Sequence, residues 1–249
     1  MSIIDAHIHC GDNRATKFYP IERVIADLDE ANADGAVIFA FPEDMYRIVD
    51  SPESRCRANE YVLRAAEQAK GRKRIYPFYF VWSDFIIPEN IERYCGIKWH
   101  RHADEPRYDY ESPLCQKILD VIRELRLPVL IEEELSQTIA FVRRMREVPI
   151  IIPHMGMLNG GTGAMEIFFD EKHVLFDTSV APLEAIDRIL NRVGPERVIF
   201  GSDASGTKEP FFNFPKVELE KLSELALLES DLALILGGNI ERILGLRIT

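Results

Sequence analysis

The feature that most constrains the fold is a series of eight short runs of β-branched and aromatic residues. Their first residues lie about 20 to 40 positions apart, which is typical of repeated strand–helix units. The eight predicted strands cover residues 3–8, 36–41, 75–81, 96–100, 128–131, 149–152, 174–177 and 198–200. Eight such units predict an α/β protein whose parallel strands close into a (β/α)8 TIM barrel.

The segments between the predicted strands have the periodicity of amphipathic helices. Apolar stripes occur at Ile21, Val24, Ile25 and Leu28, at Ile118, Leu119, Ile122 and Leu125, and at Leu183, Ile186, Ile189 and Leu190. Strands such as 37–41 and 149–153 are almost continuously apolar, which favours a parallel sheet buried on both faces. Because the chain has 249 residues and no low-complexity linker, we predict one barrel domain spanning residues 1–249.

Composition limits the classes of partner. A formal net charge of -11 argues against a nucleic-acid partner, and no apolar run reaches the roughly 20 residues of a membrane span. The chain opens on a predicted strand without a secretory signal, so we expect a cytoplasmic protein. The four cysteines form no C-x-x-C pair, which favours thiols over a thiolate zinc site. Any metal would therefore need histidine and carboxylate ligands.

Strongly polar side chains collect where the predicted strands end. These residues are His7, His9, Lys98, His100, Glu132, His154 and Asp203. In a barrel all of these positions lie on the C-terminal face, where active sites are built. Because burying unpaired charge is unfavourable, a bound cation is the simplest partner for imidazoles and carboxylates placed together.

His7 and His9 are two residues apart on one predicted strand. Side chains alternate along a strand, so both imidazoles are expected on the inward face, where they could bind one ion. Each residue also has a purely structural interpretation. The two histidines could be hydrogen-bonded in the barrel mouth, His154 could be a core histidine, and Asp203 could be a turn or N-cap residue.

Six short motifs, in order along nearly the whole chain, resemble those of one known family. They are DAHIH at 5–9, GIKWH at 96–100, PVLI at 128–131, PHMG at 153–156, FGSD at 200–203 and GGNIERIL at 237–244. This pattern resembles the amidohydrolase superfamily, and within it the amidohydrolase-related metal-dependent hydrolases (amidohydrolase 2 type) with a TIM barrel.

The resemblance implies that His7, His9 and Asp203 are metal ligands and that His154 is a ligand or a catalytic group. Glu132 stands where relatives usually have histidine, and we expect it to remain a ligand. The cofactor expected is one divalent ion, zinc first, with Mn²⁺ or Mg²⁺ as alternatives. Lys98 could be carboxylated and bridge two metals. The preferred interpretation is a salt bridge to Glu132 or an anchor for an anionic substrate.

The expected activity is metal-dependent hydrolysis of a small, anionic carbonyl or ester substrate by an activated water. Asp203 would accept the proton of the water, and His154 would polarise the carbonyl or orient the water. Lys98 or His100 would hold a substrate carboxylate or phosphate. The alternatives that stay open are a decarboxylase on the same fold, phosphotriester or lactone hydrolysis, and a non-catalytic barrel with a degenerate metal site. The sequence is compatible with a homo-oligomer, and loops 46–57 and 102–110 are expected to set the substrate.

Overall fold

Strands and helices alternate along the chain. The computed structural model describes residues 1–13, 17–41, 51–101, 105–206 and 212–245. In chain order the strands are β1 (Ile4–His9), β2 (Gly11–Asn13), β3 (Lys17–Tyr19), β4 (Gly35–Phe39), β5 (Arg74–Val81), β6 (Gly96–His100), β7 (Val129–Glu132), β8 (Ile150–Ile152), β9 (Val174–Asp177) and β10 (Val198–Ile199). β2 and β3 form a separate antiparallel hairpin, and the other eight strands form one sheet.

The eight-stranded sheet is a parallel barrel. Its strands pair in chain order from β1 through β4 to β10. Backbone hydrogen bonds then join the segment after β10 to β1, from the Ala6 N–H to the Phe200 carbonyl at 2.9 Å and from the His9 N–H to the Ala204 carbonyl at 2.8 Å. The predicted (β/α)8 barrel is therefore confirmed, and each predicted strand matches a barrel strand within two residues at either end.

Helices surround the barrel. They are α1 (Ile21–Glu30), α2 (Pro52–Gln68), α3 (Pro113–Glu124), α4 (Leu135–Arg144), α5 (Leu183–Val193), α6 (Phe214–Leu222), α7 (Glu229–Ala233) and α8 (Asn239–Gly245), with a π-helical turn at Leu234–Gly238. Short 3-10 turns lie at Ile91–Arg93, His154–Gly156, Thr162–Phe168 and Pro195–Arg197. Proline in the first turn of α2 and α3 follows a serine cap, as expected for helix starts.

Alternation along the strands separates two apolar cores. Inside the barrel, one cluster contains Leu130, Ile151, Leu175 and Ile199. Their strand neighbours Ile131, Ile150, Val174 and Val198 belong to a second cluster that packs against the helices. Because side chains alternate, the residues two positions beyond Leu130 and Leu175 also face the interior. Those residues are Glu132 and Asp177, so the apolar interior gives way to charge at the carboxyl ends of the strands.

Each helix in the described ranges is too short or too polar to cross a membrane. The loops expected to set the substrate are only partly described. Residues 46–50 and 102–104, including Tyr46 and His102, lie outside the described residues.

Candidate metal centre

Three donor atoms converge at the carboxyl ends of β1 and β10. The Nε2 atoms of His7 and His9 lie 3.4 and 3.5 Å from Oδ1 of Asp203. All three atoms lie within 4.8 Å of one another. Asp203 has φ of +60°, and its N–H donates to the His7 carbonyl at 2.8 Å, which holds the carboxylate over β1. Two nitrogens and one oxygen are a donor set that suits zinc.

In each histidine, the hydrogen bond of Nδ1 determines the protonation and orientation of Nε2. Nδ1 of His9 lies 2.8 Å from the carbonyl oxygen of Ala40, and Nδ1 of His7 lies 2.8 Å from Oδ2 of Asp177. Both oxygens accept hydrogen bonds, so Nδ1 carries the proton and Nε2 presents its lone pair. Burial lowers the pKa of His9, and burial together with Lys98 lowers the pKa of His7 to about 4. The neutral imidazoles required for metal binding are therefore favoured.

Two acceptor atoms of this trio lie unusually close together. Nε2 of His9 and Oδ1 of Asp203 are both hydrogen-bond acceptors, and they face each other at 3.5 Å. Two acceptors so close repel unless a positive charge lies between them. A divalent cation satisfies both groups, so these residues fit the metal that the resemblance implies. His7 Nε2 faces the same space, and it also lies 3.3 Å from Lys98 Nζ.

A second group of charged side chains lies beside the first. Glu132 contacts Lys98 Nζ at 3.2 Å, His154 Nε2 at 3.4 Å and His100 Nε2 at 3.4 Å. We call these four residues the Glu132 cluster, and all four are buried. On the other side of the His100 ring, Nδ1 lies 3.2 Å from Oε2 of Glu105.

The neighbouring carboxylates favour the protonated form of both histidines of the Glu132 cluster. Burial opposes the charged form of His100, but the carboxylates of Glu132 and Glu105 outweigh it and raise its pKa to about 9. Burial likewise opposes charge on His154, whereas Glu132 and Asp177 raise its pKa to about 9. His154 Nδ1 also donates to the Ser179 carbonyl at 3.0 Å, so both of its ring nitrogens face acceptors.

Nearly the whole chain resembles one known protein family. The amidohydrolase family model, Amidohydro_2, matches residues 4–246. The chain belongs to the amidohydrolase family. Its members are enzymes, so the expectation of an enzyme of this superfamily is confirmed. No curated protein sequence matches the chain.

Solved structures share the fold of this amidohydrolase. A probable 2-pyrone-4,6-dicarboxylic acid hydrolase from Acinetobacter baumannii, with citric acid bound, is 17% identical, has a TM-score of 0.72, and aligns over 98% of this chain and 100% of its own. The 5-carboxyvanillate decarboxylase from Sphingomonas paucimobilis is 12% identical, with a TM-score of 0.68 and 98% of each chain covered. An amidohydrolase from Burkholderia multivorans with bound zinc is 16% identical, with a TM-score of 0.70 and 98% and 99% of the two chains covered.

The seven residues singled out in the sequence of this amidohydrolase all lie at the carboxyl ends of the barrel strands. They separate into the trio His7, His9 and Asp203 and the Glu132 cluster. A further set of donor atoms within 4.8 Å joins His7, His154 and Asp177. Among the described residues, Glu132 belongs to neither set, and its role as a ligand stays a prediction, as does that of His154. The salt bridge between Lys98 and Glu132 is present.

Sequence reasoning missed Asp177 and Ser179. Asp177 is fully buried, accepts from His7, and also accepts the backbone N–H groups of His154 and Ser179 at 3.0 Å. The sequence did contain a signal for Asp177, which is a charged residue at the end of a predicted strand. Asp177 ends the seventh barrel strand, as His9 ends the first and Glu132 ends the fifth. Ser179 gave no such signal, because its carbonyl and hydroxyl meet His154 only in the folded chain.

Proposed function

We propose that this amidohydrolase binds one divalent cation, zinc in the first instance, through His7, His9 and Asp203, and hydrolyses an ester, lactone or similar carbonyl group of a small anionic substrate. The proposal is supported by the convergence of three acceptor atoms, one each from His7, His9 and Asp203. Asp177 and the Ala40 carbonyl set the tautomers of the two histidines. The zinc bound by the amidohydrolase from Burkholderia multivorans supports the choice of metal.

A divalent cation bound at such a site lowers the pKa of water to roughly 7 and polarises a carbonyl group. Asp203 is the residue that can move the proton. Its side chain is 31% exposed while those of His7 and His9 are buried, so its carboxylate is the most accessible of the three. It can accept the proton of the attacking water and pass it to the leaving group.

The Glu132 cluster supplies positive charge beside the reacting groups. The pKa of His154 is raised to about 9 by Glu132 and Asp177, and its protonated form could stabilise negative charge that develops on the carbonyl oxygen. Lys98 and His100 are buried against Glu132, so we propose that they act on an anionic substrate mainly through their electrostatic potential.

Decarboxylation is the second candidate, and one observation favours it. Glu132 and Asp177 raise the pKa of His154 to about 9, so its protonated form could deliver a proton to the carbon that loses CO2. The 5-carboxyvanillate decarboxylase from Sphingomonas paucimobilis shares the fold. Both reactions use the same residues, so the products must distinguish them.

The test combines metal analysis with a product assay. Protein purified without chelators is expected to contain about one divalent ion per chain. A panel of small carboxylated esters, lactones and aromatic acids is then assayed for acid release and for CO2 release. Acid release without CO2 supports the hydrolase, whereas CO2 release supports the decarboxylase. Absence of bound metal, with no gain on adding Zn²⁺ or Mn²⁺, would contradict both.

The replacement Asp203→Asn tests the proposed base. Loss of the proton acceptor is expected to lower turnover by about 10²- to 10⁴-fold, while the circular dichroism spectrum stays that of the wild type. Full activity in this variant would contradict the role of Asp203.

A further inference from the structure

The carboxylate of Glu132 is already surrounded by nitrogen donors. Its Oε2 lies 3.2 Å from Lys98 Nζ and 3.4 Å from His154 Nε2, and its Oε1 lies 3.4 Å from His100 Nε2. Its side chain is only 3% exposed. Both oxygens are therefore engaged by groups of this chain.

Lys98 contacts both Glu132 and His7 of the ligand trio. Its Nζ is 3.2 Å from Glu132 Oε2 and 3.3 Å from His7 Nε2, and it lies 4.8 Å from the centroid of the Phe39 ring. The Lys98 side chain is fully buried. A buried ammonium needs a nearby negative charge, and removing one partner of such a pair is strongly destabilising. A Glu132 oxygen that coordinated an ion would have to give up contacts with Lys98 and His154, or with His100.

We infer that Glu132 is a positioning residue that holds Lys98, His100 and His154 together, and that it does not coordinate the divalent cation. The inference rests on the proposed function, because it concerns the ion held by His7, His9 and Asp203. The glutamate at position 132 then has a different role from the histidine that relatives usually have there. The ion has three protein ligands, which are His7, His9 and Asp203.

Cobalt binding tests whether Glu132 is a ligand. Metal-free wild type, Glu132→Gln and His9→Asn are titrated with Co²⁺, whose visible absorption reports its ligands. Glu132→Gln is expected to bind one Co²⁺ with the wild-type spectrum, and with a Kd that changes by less than about 100-fold, the range for groups outside the ligand shell. His9→Asn is expected to lose the spectrum.

Glu133→Gln is the matched control for this titration. Glu133 is the next carboxylate along the chain, but it contacts Arg101 at 3.2 Å and Tyr110 at 2.7 Å. An altered cobalt spectrum in Glu132→Gln, or a larger loss of affinity, would overturn the inference. Failure of the wild type to bind Co²⁺ would instead contradict the proposed function, and the positioning role would then be decided by the unfolding experiment below.

Unfolding of the metal-free protein tests the positioning role directly. Lys98→Met, Glu132→Gln and the double variant are compared with wild type in urea. Glu132→Gln leaves Lys98 without its carboxylate, and Lys98→Met leaves Glu132 without its ammonium. The double variant removes both charges of this pair, so its unfolding equilibrium constant is expected to be at least tenfold smaller than the two single effects predict together. Additive effects would overturn the inference.

The double variant also covers the case in which Glu132→Gln alone does not fold. The double variant has no ammonium at residue 98. If Glu132→Gln does not fold, the cobalt titration is run on the double variant, with the same expected spectrum and the same limit on the change in Kd. Lys98→Met combined with Glu133→Gln serves as the control pair, and its effects are expected to add, because Glu133 contacts other partners.

Discussion

At the scale of single residues, Asp177 organises more of the site than any of the groups that the sequence brought to attention. Its two oxygens accept from the His7 ring, from the hydroxyl and backbone of Ser179, and from the backbone of His154. His7 and these hydrogen bonds outweigh burial and lower the pKa of Asp177. An ionised carboxylate is thus held behind His7, in the arrangement that orients metal-binding histidines.

Replacement of Asp177 is expected to weaken metal binding. Asn can donate to His7 as well as accept from it, so Asp177→Asn no longer selects the tautomer that presents Nε2. We expect about 10- to 100-fold lower Zn²⁺ affinity, measured by calorimetry on the metal-free protein. Asp187→Asn, the same change at an exposed position of α5, is the control. Equal affinities in the two variants would show that Asp177 does not set the tautomer.

At the scale of elements, the barrel depends on close contact between neighbouring strands. β5 and β6 pair at Phe78 and Gly96, and a Cβ on Gly96 would overlap the ring of Phe78. Phe78 is fully buried inside the barrel, so the ring has little room to move. A residue without a side chain therefore allows the strand that carries Lys98 and His100 to pair here.

Gly96→Ala is expected to destabilise the protein by about 1–3 kcal/mol through overpacking, measured as the free energy of unfolding in urea. The second change Phe78→Leu makes room for the new methyl group and should recover part of the loss. If the loss of unfolding free energy in the double variant is as large as the sum of the two single losses, the steric explanation is ruled out.

A contact from α6 fixes the turn after β9. Val180 has φ of +45°, which is strained for a β-branched residue, and its N–H donates to Glu218 at 3.1 Å. Lys221 pairs with Glu218 and donates to the Ala181 carbonyl at 2.8 Å. This turn carries Ser179, so α6 helps to hold the carbonyl that accepts from His154.

The stability contributed by Glu218 is expected to depend on pH. Burial raises its pKa above the ordinary value of 4.5, against the opposing effect of Lys221. The folded protein then holds this proton more tightly than the unfolded chain, so the contribution of Glu218 to stability falls as pH rises from about 4.5 through the folded pKa.

Glu218→Gln cannot titrate and should gain stability relative to wild type across that pH range, as measured by urea unfolding at several pH values. Glu220→Gln, at an exposed position of the same helix, is the matched control. The same pH dependence in both variants would contradict a special role for Glu218.

At the scale of the whole molecule, the site joins the first and last strands of the barrel. His7 and His9 come from β1 and Asp203 from the segment after β10, which closes the barrel through hydrogen bonds to β1. An ion held by all three residues would therefore link the two ends of the sheet, and its binding should stabilise the fold as a whole.

Zn²⁺ is expected to raise the thermal unfolding temperature of the metal-free protein. A free concentration 100 times the Kd adds about 2.7 kcal/mol, or about 5–10 °C for a chain of this length. Differential scanning calorimetry with and without a chelator measures the shift. His9→Asn should show little response, and a wild-type shift no larger than that of His9→Asn would argue against the site.

The sequence by itself determined the barrel and the face on which its chemistry lies. Strand-forming runs, apolar stripes and polar strand ends are local patterns, because side chains alternate along a strand and repeat every 3.6 residues along a helix. They were enough to predict eight strands and to place His7, His9, Lys98, Glu132 and Asp203 at one end of the barrel.

Only the tertiary structure decided which of those groups meet. Asp177 reaches His7 across 170 positions of the chain, and Lys98 reaches Glu132 across 34, so neither pairing has a local signature. Distances between side chains at a barrel mouth depend on the register of every strand between them. For this reason the sequence could name the residues at the mouth, but only the fold could divide them into the trio His7, His9 and Asp203 and the Glu132 cluster.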